Sequence, residues 1–176
     1  MNYVRFLLAS ICILSIVGMI VGASADAGTT VTATVTIGSV SVTVSPTSFG
    51  YGTIPFSSTE ESFDSDLASH NIGATVGSAV TDLDIKGAST ADWTLDIVAN
   101  IGANSYAHEF GAAANETARP ASYDATALTT TFDSNYLVQG AAGSSTTWFG
   151  LKIHTPASGV STQQRAAVTL QASFGG

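Results

Sequence analysis

Apolar residues recur at every second position through most of this chain, and nowhere after residue 25 do they keep the three-to-four-residue spacing of a helix face. Side chains alternate faces along a strand, so a period of two marks strands with one apolar face. The longest such run is GTTVTATVTIGSVSVTVSP, residues 28 to 46. Its phase shifts at Gly38-Ser39: Val31, Ala33, Val35 and Ile37 hold odd positions, whereas Val40, Val42 and Val44 hold even ones.

The same period recurs downstream. TSFGYGTI reads as a short strand stopped by Pro55, and SSTEESFDSDLASHNIG as a loop or irregular strand. SAVTDLDIKG places Thr81, Leu83 and Ile85 on one face, and DWTLDIVA aligns Trp93, Leu95 and Ile97. Strands are expected near Tyr106 to Phe110 and Leu128 to Phe132, with a long Ala-rich loop between them reaching Ser122. STTWFGLKIHTP aligns Phe149, Leu151 and Ile153, while RAAVTLQASF aligns Ala166, Val168, Leu170, Ala172 and Phe174. ASGVSTQQ between them is a polar turn suited to a hairpin. About eight or nine strands with turns every 8 to 12 residues or so predict an all-β fold, an antiparallel β-sandwich of immunoglobulin-like or jelly-roll type. No internal repeat or linker divides the chain.

Residues 1–25 read as a signal peptide: Arg5, the apolar run FLLASICILSIVGMIVG, and Ala23-Ser24-Ala25 in the small-x-small form of a cleavage site. An uncleaved membrane anchor is the competing reading, because the run approaches the ~20 residues that span a bilayer. Cys12 lies inside the run, without the small residue expected before a lipidated cysteine. The organisation expected is leader 1–25, N-terminal strand or arm 26–38, and β domain 39–176, in a protein secreted to the cell surface.

Without the leader the chain has no cysteine, so its stability rests on an apolar core and backbone pairing rather than on disulfides. Roughly 150 residues suffice for such a core. Lys86, Arg119, Lys152 and Arg165 then oppose 13 acidic groups, a net charge near −9. That balance excludes nucleic acid and anionic membrane surfaces as partners, both of which need a basic patch. Membrane association is left only to an uncleaved leader.

Signals for chemistry are sparse. His70, His108 and His154 are far apart in sequence, and no G-x-S-x-G, P-loop or H-E-x-x-H is present. The chain is not expected to be an enzyme. Asp64 and Asp66 in EESFDSD, with Asp82 and Asp84 in DLD, are oxygen ligands of the type calcium takes, so Ca²⁺ is the one candidate cofactor. No D-x-D-x-D-G loop supports it, and the plain alternative is a solvated acidic loop and a polar strand face. Asn115-Glu116-Thr117 is an N-glycosylation sequon in the Ala-rich loop. Trp93 alternates with Leu95 and Ile97 and is expected in the core. Trp148 is out of phase with Phe149 and is expected outward or over a sheet edge, as a candidate contact for a glycan or a surface protein.

Residues 28 to 46 admit three readings: a hairpin turning at Gly38-Ser39, one strand bulged at Gly38, or a divided segment. In the last, residues 40–45 start the domain's own sheet and residues 29–37 pair with another copy. From Ala27 to Ser45 there is no charge, and the first proline is Pro46, so nothing blocks strand addition. The alternating N-terminal strand, VSVTVSPTSFGYGTIP, NIGATVGSAVTDLDIKG and the final AAVTLQASF resemble secreted archaeal and bacterial surface β-sandwich proteins, the archaeal bundling pilins and TasA-type fibre subunits among them. The resemblance implies polymerisation outside the cell by N-terminal strand donation, into a filament, biofilm matrix or surface layer. By position, Thr30, Val31, Ala33, Val35 and Ile37 would belong to the donor strand. A monomeric binding module or adhesin is the alternative.

Overall fold

The computed structural model describes residues 38–123, 127–132 and 136–175. Residues 29–37, and with them the expected donor strand Thr30, Val31, Ala33, Val35 and Ile37, lie outside the described residues.

Nine strands and two single-turn 3-10 helices make up the described chain. The strands are β1 (Val42–Ser45), β2 (Thr59–Glu61), β3 (Ile72–Val76), β4 (Thr81–Gly87), β5 (Thr94–Leu95), β6 (Ser105–Ala113), β7 (Tyr136–Ala141), β8 (Thr146–His154) and β9 (Val168–Phe174). The larger sheet runs β1-β3-β8-β6-β5, and β2 shares one edge of β8 with β3. The smaller sheet runs β7-β4-β9. The protein is all-β in its described part, as the period predicts.

Alternation explains which faces are buried. In β4, Thr81, Leu83, Ile85 and Gly87 are buried while Asp82, Asp84 and Lys86 stay half-exposed. In β8, Phe149, Leu151 and Ile153 turn inward. The main apolar cluster joins Leu83, Ile85 and Leu137 of the small sheet to Ile72, Phe110, Phe149 and Leu151 of the large one, so the core lies between the sheets. Burying a side chain such as Phe149, 1% exposed, is worth about 1.5–3 kcal/mol. A smaller cluster of Leu95, Tyr106 and Ile153 is flanked by Trp93 and Ile54.

Several sequence expectations give way to tertiary contacts. TSFGYGTI forms no strand: Gly50 exchanges bonds with Asp66, N–H to carboxylate (2.9 Å) and carbonyl from Asp66 N–H (3.4 Å), and Gly52 takes φ +76°. Its Phe49 and Tyr51 nonetheless pack on the core. Residues 57–73, expected as a loop or irregular strand, contain β2, a 3-10 turn at Ser62–Asp64 and the start of β3. DWTLDIVA is a strand only at Thr94–Leu95, and that strand pairs with β6 in parallel. Ile97 is 44% exposed instead of sharing the core with Leu95. Leu128 to Phe132 is not a strand, although Ala127 and Leu128 are buried; Leu128 N–H donates to His108 carbonyl (2.6 Å). The strand of this region is β7, further along. Finally, β8 and β9 do not form a hairpin: β9 pairs with β4 in the other sheet.

Candidate functional site

Two sheet edges that no other strand of the described residues meets lie near each other. β1 ends the large sheet and β9 ends the small one, and their Cα atoms come within 8 Å. The chain enters this region from its N-terminal part. Ala79 N–H donates to Ser39 carbonyl (3.2 Å) and Gly77 N–H to Ser41 carbonyl (2.9 Å), so from Ser39 onward the chain runs extended beside residues 77–79 and into β1. Val42 and Val44 point to the core but remain half-buried.

β9 forms the edge of the small sheet. Its register with β4 runs from Thr81 opposite Phe174 to Gly87 opposite Val168, and Gly175 N–H donates to Val80 carbonyl (3.0 Å). Bonded pairs alternate in an antiparallel ladder, so Thr169, Gln171 and Ser173 face β4 with their backbone groups. The N–H and carbonyl groups of Val168, Leu170, Ala172 and Phe174 therefore point outward, and among the described residues no strand meets them. The side chains of Val168, Leu170 and Ala172 line the inner face only half-buried, and Phe174 is 69% exposed. From Ala166 to Gly176 there is neither charge nor proline. Soluble proteins normally guard such an edge with one or the other.

The outer face of the large sheet is polar and covered by a strap. Residues 114–123 leave β6 and fold back over Gly150, where an added Cβ would stand 2.9 Å from Pro120 Cγ and 3.2 Å from Tyr123 Oη. The strap is fastened at both ends. Buried Asn71 donates from Nδ2 to the carbonyls of Asn115 (2.9 Å) and Ala118 (2.7 Å), and from its backbone N–H to Glu116 carbonyl (2.7 Å). Arg119 donates to Glu61 (2.7 and 2.9 Å) and Asp64 (2.5 Å), and Tyr123 OH to Glu61 (3.0 Å). Beside it, Glu109 is buried between Lys152 Nζ (3.2 Å) and His154 Nε2 (2.8 Å), while His154 Nδ1 meets Thr59 Oγ1 (3.1 Å). These contacts tie β2, β8 and β6 together by their side chains. No sequence motif marked Glu109, Lys152 and His154 as a group, because only strand register brings them side by side.

The candidate calcium ligands stay in two pairs. Asp64 is taken up by Arg119, and Asp66 accepts from Gly50 N–H; both border a shallow hollow of about 400 Å³. On β4, Asp82 accepts from Gly140 N–H (2.6 Å), and burial, then the neighbouring Asp82 charge, raises the Asp84 carboxyl above its ordinary range. Among the described residues no group of three or more His, Cys, Asp or Glu is gathered that would hold a metal ion. Trp148 lies on the outer face, half-buried, with its six-membered ring over Gly73 of β3; a Cβ there would stand 2.8 Å from Cζ3. Trp93 borders the smaller cluster half-buried, and its Nε1 donates to Val160 carbonyl (2.9 Å).

Compared with known protein families, with curated proteins and with solved structures, the chain has no match in any of the three.

Proposed function

We propose that this chain is a structural subunit of the cell exterior, exported behind the leader 1–25, whose two sheets form a β-sandwich of immunoglobulin-like or jelly-roll type. Copies join by strand addition, residues 29–37 of one extending the sheet of the next. The observation that carries this reading is the uncharged edge of β9, which no strand of the described residues covers.

Donor and acceptor match in chemistry and length. Val31, Ala33, Val35 and Ile37 alternate with Thr30, Thr32, Thr34 and Thr36, as Val168, Leu170 and Ala172 alternate with Thr169, Gln171 and Ser173. An added strand in this register lays its apolar side over the half-buried inner face and its threonines outside. Nine arm residues extend ~30 Å and the seven of β9 ~23 Å. Each copy donates at one end and accepts at another site, so the contact is head-to-tail and builds a filament, matrix or layer. A secreted binding module acting through Trp148 has less support, since that ring already packs on Gly73.

The test uses two variants. Deleting residues 26–37 removes the donor. Ala172→Pro removes an outward N–H that β4 does not use, closing the acceptor. Electron microscopy is expected to find fibres for wild type and none for either variant alone. Mixed, the two variants are expected to give a one-to-one complex and stop there. Fibres from the deleted chain would overturn strand donation itself. Fibres from Ala172→Pro would move the acceptor away from β9. A mixture that stays monomeric would mean that the arm pairs within its own chain.

A further inference from the structure

We infer that Asn115 is an N-linked glycosylation site, taking an oligosaccharide from a lipid-phosphate-linked donor during export. The inference is independent of strand addition. Asn115-Glu116-Thr117 is the single N-x-S/T sequence with no proline at its centre in the chain. The structure adds what a short motif lacks, the orientation of its groups. The backbone of the sequon faces inward: the carbonyls of Asn115 and Glu116 both accept from Asn71, which is only 2% exposed. The side chains of Asn115, Glu116 and Thr117 are all exposed.

Within the sequon, Asn115 Oδ1 accepts from Thr117 N–H (3.0 Å) and Thr117 Oγ1 (3.3 Å). Both bonds fall on the oxygen of the carboxamide. Nδ2 has no hydrogen bond among the described residues. A sugar on Nδ2 displaces no hydrogen bond of the described residues. It stands on the strap over the large sheet, whereas β9 belongs to the small one.

The transfer balances without oxidation or reduction. Nδ2 forms a bond to the anomeric carbon, the bond from that carbon to the phosphate oxygen of the lipid carrier breaks, and the lipid phosphate departs with the bonding pair. The amide proton passes to a base of the membrane transferase. The hydroxyl of Thr117, two residues on, is the group that the motif supplies for recognition.

Intact-mass spectrometry of the full-length gene product recovered from its native cells tests the assignment. Wild type is expected to exceed its polypeptide mass by a saccharide. Asn115→Gln and Thr117→Ala are each expected to return it to the bare mass, whereas Thr117→Ser retains the adduct. Wild type at the bare mass, or an adduct that survives Asn115→Gln, would overturn the inference.

Discussion

His108 sits in an environment that disfavours its charged form. It is 2% exposed, its Nε2 is bonded to Tyr51 OH (2.8 Å), and the Tyr106 ring stands edge-on at 5.9 Å. Burial, and then the charge of His154, lower its pKa to about 4 from 6.5. Burial also pushes the Tyr106 phenol up to about 12 and the Tyr51 phenol well above its ordinary range, so both rings stay neutral beside it. A group that binds its proton more weakly folded than unfolded makes stability fall as pH drops. The loss begins near pH 6.5, where the unfolded histidine takes up its proton, and is complete near pH 4, where the folded one does. At about 1.4 kcal/mol per unit, this one residue removes roughly 3 kcal/mol over that window. Urea unfolding of wild type and His108→Phe at pH 7 and pH 4 is expected to show a smaller acid loss in the variant by about that amount. Equal losses would mean that the ring protonates in place without cost.

Among the elements, β9 allows the sharpest comparison, because neighbouring residues send their backbone groups in opposite directions. Ser173 faces β4 opposite Asp82, whereas Ala172 faces outward. Proline at 173 removes a ladder bond, leaves the facing carbonyl unpaired and sets its ring against β4, at a cost of about 1–3 kcal/mol. Proline at 172 removes an N–H that no strand of the described residues uses, so its cost in the single copy is expected to be the smaller of the two. Denaturant midpoints of the two variants check this ordering. An inverted ordering would mean that Ala172 and not Ser173 faces β4, and equal destabilisation that both N–H groups are engaged. Some elements escape a reading of the sequence for a related reason. β7 is hidden because its pairing with β4 shifts register twice and Gly140 takes φ +65°, which breaks the period of two. β3 alternates Ile72, Ala74 and Val76 with Gly73 and Thr75, a short run of mostly small residues beside a polar loop.

For the whole molecule, charge opposes assembly. With the leader removed each copy carries about −9, and copies brought together repel. The proposed donor residues 29–37 and β9 are themselves uncharged, so salt would screen the repulsion without weakening the proposed contact. The Debye length falls from ~30 Å at 0.01 M to ~8 Å at 0.15 M salt. Fibre growth followed by light scattering is therefore expected to quicken several-fold across that range. Growth that slows with salt would point to a contact between opposite charges instead.

The order of residues settles what depends on neighbours along the chain. A period of two requires strands, and it assigns the inward faces of β4 and β8 before any partner is known. Leu83 with Ile85 and Phe149 with Leu151 are buried accordingly. The sequon and the uncharged run before Pro46 are local features too, and are legible in the same way. Pairing is different, because the energy of a ladder comes from residues far apart in the chain. That β9 leaves β8 for β4, that β5 lies parallel to β6, and that Glu109 sits between Lys152 and His154 follow from which edges meet when the two sheets close over one core. The outward side of β9 belongs to this second kind: the same seven residues in a hairpin with β8 would have presented a different edge.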